Sequence, residues 1–424
     1  MRSIFVLVAG CFLLVGCTAR DEPASGASVA PEEQPAQSVR FATYNVYLNR
    51  PTQGVLITDL AAPDNPQAQK VAEIIQRVAP DILLLNEFDY DDAGEGLRLF
   101  RENYLEQSQN GATPAYYPYA FAAPSNTGTA SGHDFDRDGV VTTEPGSRAY
   151  GGDAFGYGEF PGQYAMAILS KYPIDEEAVR SFQKFRWKDM PGALLPDDPA
   201  TPEPSDWYSA DALEEFRLSS KSHWDVPVML DDKIVHVLAA HPTPPGFDGA
   251  EDRNGKRNHD EIRLLADYLT PEAMVYIYDD MGEPAALPAG ARFVIMGDLN
   301  ADPHDGSGID GAIEQLLSSP VVSPAAAPTS VGGVKQAQIQ AGANLTHIGP
   351  PSEDTADFND TGEFGIGNLH LDFVLFSKFG FREAGSGVFW PGPEEPHYGL
   401  VGPGFPVESS DHRLVWRDLV LTDD

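Results

Sequence analysis

From Val39 onward, short apolar segments alternate with longer amphipathic ones, and this alternation constrains the fold more than any other feature. The segment 40–46 is predicted to be a strand, and 82–85 is a continuous apolar run typical of a strand buried on both faces. Between them, apolar residues recur at helical spacing over 65–79, which predicts a helix. The same reasoning predicts strands at 165–169, 226–230, 234–240, 293–296 and 371–376, and helices at 260–269 and 309–317. Alternating strands and helices are typical of an α/β domain.

Two long segments interrupt this alternation. Residues 108–162 are rich in Gly, Tyr and Pro, and residues 185–222 carry Trp, Pro and Asp. Irregular segments of this length are uncommon in compact domains unless they serve a function. No internal repeat or second domain-sized apolar pattern is present, so one domain over 39–424 with two insertions is predicted.

The N-terminal segment has the pattern of an export signal. Arg2 precedes the apolar run Ile4–Val15, which is too short to span a membrane comfortably. The run ends in Leu14-Val15-Gly16-Cys17, which resembles the lipobox of bacterial lipoproteins. That resemblance implies a signal peptide over 1–16 and a lipid on Cys17. An ordinary signal peptide that happens to contain Cys is the alternative.

Residues 17–38 are rich in Ala, Pro, Ser, Glu and Gln and are predicted to be a flexible tether. The lipoprotein resemblance, with Thr18 rather than Asp after the lipidated Cys, implies anchoring in the cell envelope at the outer membrane. The chain's other cysteine is Cys11, inside the signal. The mature chain therefore has no Cys for a disulfide, a thiol nucleophile or a thiolate zinc site.

The acidic balance of the chain limits its partners. The 28 basic and 64 acidic residues give a formal net charge of -36. Such a field repels polyanions, so stable binding of duplex DNA is not expected. Clustered carboxylates can bind hard cations, although a solvated acidic surface explains most of the charge equally well. A monomer is expected.

Polar side chains follow several predicted buried strands, at the point where each strand ends or begins. Singly, each could be a cap or turn residue. Together at one rim of a sheet they would form a plausible active site. They are Asn45, Glu87, His241, Asp298, Asn300, Asp372, Asp411 and His412.

These residues lie in motifs that resemble the endonuclease/exonuclease/phosphatase superfamily, which has the fold of deoxyribonuclease I. The motifs occur in family order as Thr-Tyr-Asn (43–45), Pro-Asp-Ile-Leu-Leu-Leu-Asn-Glu (80–87), Ala-Ile-Leu-Ser-Lys-Tyr-Pro-Ile (167–174), Ala-Ala-His-Pro (239–242), Gly-Asp-Leu-Asn-Ala-Asp-Pro (297–303), His-Leu-Asp-Phe-Val-Leu (370–375) and Ser-Asp-His (410–412). The resemblance implies a four-layer α/β sandwich with two packed mixed β-sheets flanked by helices. Two positions depart from the family pattern: Asn86 replaces a Gln, and Ala-Ala-His replaces Asn-Thr-His.

Phosphoester hydrolysis needs a cation on the phosphate oxygens, an activated water and a proton for the leaving group. The resemblance and this chemistry assign one or two Mg²⁺ or Mn²⁺ ions to Glu87, Asn45 and Asp411. Asp298 would orient or deprotonate the water, and Asn300 would hydrogen-bond a phosphate oxygen.

The two predicted active-site histidines share the remaining roles. His412 would contact the scissile phosphate, with Asp372 fixing its tautomer. His241 would stabilise a phosphate oxygen or protonate the leaving group. The sequence leaves the division of acid and base between these histidines open.

Cations near His241 could hold a substrate phosphate. Arg253 and Arg257 belong to a basic cluster in which four cations fall within the eleven residues 253–263. Lys221 and His223 end the second insertion just before a predicted strand. The alternatives are a solvated helix start for the first pair and a loop anchor for the second.

A calcium-loop pattern occurs in the first insertion. Asp134, Asp136 and Asp138 alternate, and Gly139 takes the sixth position, but the twelfth position is Pro145 instead of Glu. A complete EF-hand is therefore excluded. A partial structural Ca²⁺ site and a plain acidic turn both remain open.

Four functions are compatible with these features. The first is an extracytoplasmic hydrolase of small phosphate mono- or diesters. The others are an extracellular nuclease, a lipid phosphodiesterase whose aromatic segment 116–121 touches a membrane, and a non-catalytic binding lipoprotein.

Overall fold

Two mixed β-sheets form the centre of the fold. The computed structural model describes residues 38–270, 275–362, 365–403 and 407–423. The predicted signal peptide, Cys17 and nearly all of the tether lie outside these residues. The strands are β1 (Ser38–Leu48), β2 (Ile82–Phe88), β3 (Tyr119–Phe121), β4 (Met166–Ser170), β5 (Arg180–Ser181), β6 (His223–Leu230), β7 (Lys233–Ala240), β8 (Arg292–Asp298), β9 (Ala356–Asp357), β10 (Asn368–Leu369), β11 (Asp372–Phe376), β12 (Phe381–Val388) and β13 (Val415–Leu421).

Helices occur between the strands. They are α1 (Val55–Leu60), α2 (Pro66–Val78), α3 (Glu95–Phe100), α4 (Arg148–Gly152), α5 (Ala210–Glu215), α6 (Arg253–Tyr268), α7 (Glu314–Leu317), α8 (Val331–Gln340) and α9 (Tyr398–Val401). The helix predicted over 65–79 is confirmed: Asn65 caps it by accepting a hydrogen bond from the Ala68 amide, and Pro66 occupies its first turn.

Two helix predictions need correction. Helix α6 begins at Arg253, seven residues before its predicted start, so the basic cluster lies on the helix itself. The helix predicted over 309–317 is wrong in its first half, where 310–313 form turns. Gly311 has a φ of 83°, which a right-handed helix cannot contain.

Each sheet contains one parallel pair of strands. The first sheet has the order β12-β13-β1-β2-β4-β3, and the second has β11-β8-β7-β6-β5. β1 runs parallel to β2, and β7 runs parallel to β8, whereas the other pairs are antiparallel. β9 and β10 form a separate two-stranded ladder. The predicted mixed sheets are therefore confirmed.

Alternating side chains of the second sheet separate the layers. In β7 and β8, Val237 and Val294 join the core shared with the first sheet and with α2. Their neighbours Leu238 and Ile295 point the other way, into a second core that contains α6 residues. Because successive strand residues face opposite sides, this pattern places one sheet on each side of the shared core. The fold is the predicted four-layer α/β sandwich.

The two insertions pack against each other. Asn126 of the first donates hydrogen bonds from its side chain to the backbone oxygens of Gln183 (2.6 Å) and Ser219 (2.7 Å), and accepts one from Arg217 (2.8 Å). These buried contacts give the long irregular segments a defined conformation. Within the described residues, no helix is long and apolar enough to cross a membrane.

Candidate active site

Strand direction brings the predicted site residues to one rim. The parallel strands β1 and β2 pair Asn45 with Asn86, which places Glu87 immediately beyond. Asp372 begins β11 directly opposite Asp298, the last residue of β8. β13 is antiparallel to β1, so His412, just before β13, lies beyond the same end of β1 as Asn45. The sheet register therefore assembles residues that are far apart in sequence.

Asp298 lies at the centre of the assembled site. Its Oδ2 accepts a hydrogen bond from Asn45 Nδ2 (3.0 Å) and lies 3.4 Å from His241 Nε2 and 3.6 Å from His412 Nε2. The backbone amide of Asn300 donates to Asp298 Oδ1 (3.1 Å). Burial raises the pKa of Asp298 to about 6, although the positive charge of His412 opposes this shift. One carboxylate oxygen is thus shared among three polar side chains.

His412 is held in one orientation by a buried relay. Its Nδ1 donates to Asp372 Oδ2 (2.8 Å), and the same oxygen accepts a hydrogen bond from Thr355 Oγ1 (2.7 Å). Burial disfavours the charged imidazole, but the Asp372 and Asp298 carboxylates outweigh it and hold the pKa of His412 well above its ordinary value. The relay therefore favours the charged form of the ring, whose Nε2 lies 3.6 Å from Asp298 Oδ2.

His241 has the opposite charge preference. Burial, with the positive charges of Lys221 and His412, holds the pKa of His241 well below its ordinary value. Its Nδ1 has no hydrogen-bond partner among the described residues. The alanines of the Ala-Ala-His motif offer no side-chain acceptor at this position. The pKa values of the two histidines are thus shifted in opposite directions.

Glu87 and Asp411 form an acidic pair at the edge of the site. Burial, with the nearby charge of Asp411, raises the pKa of Glu87 to about 7, and burial also raises the pKa of Asp411. Glu87 Oε2 accepts a hydrogen bond from Asn49 Nδ2 (2.8 Å). The Oδ1 of Asp411 is buried without a partner among the described residues. Two repelling carboxylates with an unsatisfied oxygen fit a hard divalent cation.

A second set of donors also converges here. Ligand atoms of Asp298, Asp372 and His412 lie within 4.8 Å of one another and could hold an ion. However, Asp372 Oδ2 and His412 Nδ1 already bond to each other, which occupies one possible ligand atom of each residue. The pair of Glu87 and Asp411 is the better metal position because its members make no such bond with each other.

Lys221 is brought into the site from the second insertion. Its side chain is buried, and Nζ lies 3.5 Å from the Pro242 carbonyl, in the loop after His241. Burial lowers the pKa of Lys221, whereas the carboxylates of Glu261, Glu87 and Asp298 favour its charged form. The contact of Lys221 with a substrate phosphate stays a prediction.

His223 is bonded inside the fold, and its predicted phosphate role needs correction. It is buried, with Nδ1 2.5 Å from Ser219 Oγ and Nε2 3.0 Å from the Glu261 carbonyl. Both ring nitrogens therefore have internal partners. The alternative of a loop anchor describes His223 correctly, while Lys221, two residues earlier, faces the centre.

The predicted phosphate role of Arg257 and Arg253 also needs correction. The buried Arg257 guanidinium donates to the carbonyls of Leu218 (2.8 Å), Phe155 (2.6 Å) and Arg217 (2.9 Å) and so ties the two insertions to α6. Arg253 pairs with Glu251 and lies over the Trp207 ring. Neither guanidinium is directed at Asp298. Because helix α6 begins earlier than predicted, both arginines lie on the helix, where they pack against neighbouring segments.

The calcium-loop acids converge in an exposed turn. Ligand atoms of Asp134, Asp136 and Asp138 lie within 4.8 Å of one another. Asp136 and Asp138 accept hydrogen bonds from the amides two residues further on, at 3.1 Å and 2.8 Å, as in an Asx turn. Both a structural Ca²⁺ and a plain turn fit this geometry, so the calcium site stays a prediction.

Three residues at the site were not predicted from the sequence. Thr355 bonds Asp372, and Asn49 bonds Glu87. The buried Glu261 carboxylate accepts hydrogen bonds from the amides of Ser220 and Thr243, both at 2.6 Å, and so positions the loops that carry Lys221 and His241. Only Asn49 had a detectable signal, because it closely follows Asn45. Thr355 lies in a segment without a motif, and Glu261 lies in the basic cluster 253–263, where only the cations suggested a role.

The endonuclease/exonuclease/phosphatase family model matches residues 42–412. A search of the curated proteins found no match. Similar solved structures include an endonuclease/exonuclease/phosphatase from Beutenbergia cavernae, with 16% identity over 91% of this chain and 72% of that chain and a TM-score of 0.43. Sphingomyelinase C from Streptomyces griseocarneus has 14% identity over 90% of this chain and 99% of that chain, with a TM-score of 0.43. A mannosyl-6-phosphatase from Bacteroides thetaiotaomicron has 13% identity over 90% of this chain and 100% of that chain, with a TM-score of 0.43.

The family match covers most of the chain and includes every strand that carries a predicted catalytic residue. The chain therefore belongs to the endonuclease/exonuclease/phosphatase family and is a phosphoester hydrolase.

Proposed function

We propose that the protein is a divalent-metal-dependent hydrolase of small phosphate monoesters or diesters that acts outside the cytoplasm. The observation that carries the proposal is the convergence of Asn45, His241 and His412 on a single oxygen of Asp298. This arrangement can position a water and a phosphate together. Its members come from both sheets, so the arrangement depends on the complete sandwich.

The roles follow from charge and hydrogen-bonding capacity. Asp298 orients the attacking water and accepts its proton, because it is the acceptor between the two histidines. The His412 imidazolium, oriented by Asp372, stabilises negative charge on the phosphate. Neutral His241 donates a hydrogen bond to a phosphate oxygen, and Lys221 adds positive charge. Asn300, whose Nδ2 donates to the Pro242 carbonyl (3.1 Å), would offer its second N–H to the same oxygens.

The metal belongs to the edge of the site. Glu87, Asp411 and Asn45 would hold a Mg²⁺ or Mn²⁺ ion, since carboxylate and amide oxygens are suitable ligands for both. An ion bound there would neutralise charge on the phosphate oxygens and on the developing leaving group. The unpartnered Oδ1 of Asp411 supports this assignment.

Small substrates are favoured over polynucleotides by the net charge. A surface with a formal net charge of -36 repels a polyanion at long range. The basic cluster that could have guided a nucleic acid is occupied internally at Arg253 and Arg257. Nuclease activity is the second candidate, because it belongs to the family, and it would be marked by a steep loss of turnover with salt.

Hydrolysis of p-nitrophenyl phosphate and bis-p-nitrophenyl phosphate tests the proposal. The full chain is assayed in EDTA and then in Mg²⁺, Mn²⁺ or Ca²⁺, beside His412→Ala and the exposed control His397→Ala. We expect turnover that disappears in EDTA, returns with Mg²⁺ or Mn²⁺, and falls by about 10²-fold or more in His412→Ala only.

The ratio of the two esters distinguishes a phosphatase from a phosphodiesterase. Equal turnover by His412→Ala and wild type would contradict the assigned site. Activity confined to DNA, RNA or liposomes would move the substrate to the nuclease or lipid class. No turnover of any ester with any metal would support a binding protein.

We further propose that the chain is a lipoprotein of the cell envelope, on the basis of Leu14-Val15-Gly16-Cys17. Labelling of expressing bacteria with a radioactive fatty acid should mark the wild-type chain and leave Cys17→Ser unlabelled. Membrane fractionation then distinguishes the outer membrane from the inner one. Label on the Cys17→Ser chain would disprove the lipid attachment.

A further inference from the structure

A cavity of about 470 Å³ opens beside the candidate metal ligands. Its volume lies within the range of about 300–1,000 Å³ for small-molecule sites. Its wall includes Tyr47, Asn49, Arg50, Asp59, Glu159 and Tyr164, and we call it the Tyr47–Tyr164 pocket. Glu159 belongs to the end of the first insertion, and Tyr164 belongs to the segment that follows it. The pocket therefore exists only because that insertion folds back against β1.

The pocket adjoins the catalytic centre directly. Asn49 lines it and donates a hydrogen bond to Glu87 Oε2 (2.8 Å). Tyr47 lies two residues after Asn45, and its amide donates to Asn45 Oδ1 (3.2 Å). A phosphate held over Glu87 and Asn45 would place its esterified organic group at the mouth of this pocket.

The walls of the pocket are held rigidly. The backbone amide of Arg50 donates to Asp89 Oδ2 (2.8 Å), and the backbone carbonyl of Arg50 accepts from Gln163 Nε2 (2.7 Å). Tyr47 and Tyr164 have φ values of 51° and 58°, which place aromatic residues in the left-handed region. Such conformations cost free energy and persist where surrounding contacts impose them, most often at functional sites. A rigid pocket binds a ligand without paying the entropy of ordering its walls.

The free polar atoms of the pocket favour a hydroxyl-rich ligand. Arg50 bonds Asp59 Oδ2 through Nε (2.6 Å) and the Asn49 carbonyl through Nη1 (2.8 Å). Among the described residues, Nη2 of Arg50 and Oδ1 of Asp59 make no hydrogen bond, so this ion pair leaves one donor and one acceptor free. Neighbouring hydroxyl groups of a sugar or cyclic polyol match such a pair, since each hydroxyl both donates and accepts. The two tyrosine rings can pack on the C–H faces of the ring.

The same walls disfavour other organic groups. Asp59 and Glu159 outnumber the single Arg50, so a second phosphate would meet net negative charge. An acyl chain would bury these ionic groups without hydrogen bonds, which is costly. A neutral group avoids the repulsion, and a polar group can hydrogen-bond the ionic side chains that it covers.

We propose that the Tyr47–Tyr164 pocket binds the organic group of the substrate and selects a neutral, hydroxyl-rich group of sugar or cyclic-polyol size. This inference rests on the proposed phosphoester hydrolysis at Asp298 and His412. Asp59 and Arg50 would select the hydroxyls, and Tyr47 would pack on the ring.

Relative kcat/KM values on a substrate panel test the selection. The full chain is assayed with Mg²⁺ on glucose 6-phosphate, inositol 1-phosphate, adenosine 5′-monophosphate and p-nitrophenyl phosphate. We expect preference for the first two. Asp59→Asn and Tyr47→Leu should each lower kcat/KM on the preferred ester about tenfold more than on p-nitrophenyl phosphate. The exposed neighbour substitution Asp64→Asn should leave this ratio as in the wild type.

Calorimetric binding separates failure of the pocket from failure of the hydrolase. In the His412→Ala background, glucose 6-phosphate should bind at least about tenfold more tightly than inorganic phosphate, and Asp59→Asn should remove the difference. Equal affinities, or a preference for adenosine 5′-monophosphate, would overturn the pocket assignment while turnover of p-nitrophenyl phosphate still supported the hydrolase. Selective binding without turnover of any ester would retain the pocket and overturn the hydrolase.

Discussion

Two groups on the Nδ1 side of the ring, Asp372 and Thr355, set the orientation of His412. Asp372 accepts from its Nδ1, and Thr355 fixes Asp372 by donating to the same oxygen. Thr355 Oγ1 also accepts from the amides of Leu371 and Asp372, both at 3.0 Å. The buried relay therefore defines which imidazole nitrogen faces the phosphate.

Asp372→Asn should remove the charge that orients the His412 ring, with little change in side-chain volume. The amide cannot balance an imidazolium charge, so we expect kcat to fall by about 10²- to 10⁴-fold, with KM changed far less. Steady-state kinetics beside the exposed control Asp92→Asn would measure the effect, and thermal unfolding would verify folding. A folded Asp372→Asn enzyme with wild-type kcat would exclude the relay.

Helix α6 shows how one element can serve both architecture and the site. Its Arg257 binds three carbonyls of the insertions, while Glu261, one turn later, bonds the loops that carry Lys221 and His241. The spacing of four residues places both side chains on the same face of the helix. The insertions are thereby fixed relative to the catalytic rim.

Arg257→Met should destabilise the fold without removing a phosphate ligand. The substitution leaves three carbonyls without their donor, and each unsatisfied buried group costs about 1–3 kcal/mol. Urea unfolding should show this loss, whereas Lys256→Met on the same helix should not. Where the variant remains folded, KM should stay near the wild-type value. A large rise in KM at unchanged stability would restore the predicted phosphate contact.

At the scale of the whole molecule, negative charge accumulates even in buried positions. Asp354 is only 7% exposed. Burial, with the charges of Asp302, Asp305 and Glu353, raises its pKa to about 7. The folded state therefore binds a proton that the unfolded chain releases at a much lower pH. Above pH 7, the ionised Asp354 carboxylate destabilises the fold, and this cost disappears as the pH falls.

Asp354→Asn should consequently stabilise the protein in a pH-dependent way. We expect a gain of about 2–4 kcal/mol near pH 8 that shrinks as pH falls through 7 and vanishes near pH 4. Chemical denaturation at several pH values measures it, with the exposed Asp310→Asn as control. A gain of the same size at pH 4 and pH 8 would show that the carboxylate charge is not responsible.

The sequence by itself predicted the fold class, the chemical types at the catalytic rim and seven of the strands in the described residues, namely β1, β2, β4, β6, β7, β8 and β11. Continuous apolar runs such as 82–85 could form only buried strands, and the polar residues that follow them necessarily lie at strand ends. Asp298 and Glu87 could be predicted for this reason. The order of the motifs supplied the family and, with it, the sandwich.

Only the tertiary structure decided which cations reach the site and how it is supported. Lys221 and His223 are two residues apart, but one faces the catalytic centre and the other anchors α6. Loop packing, which local sequence does not encode, sets these directions. Thr355 and the Tyr47–Tyr164 pocket likewise depend on contacts between segments far apart in the chain. Such contacts carry no local periodicity, so they emerge only when both sheets and the insertions are assembled.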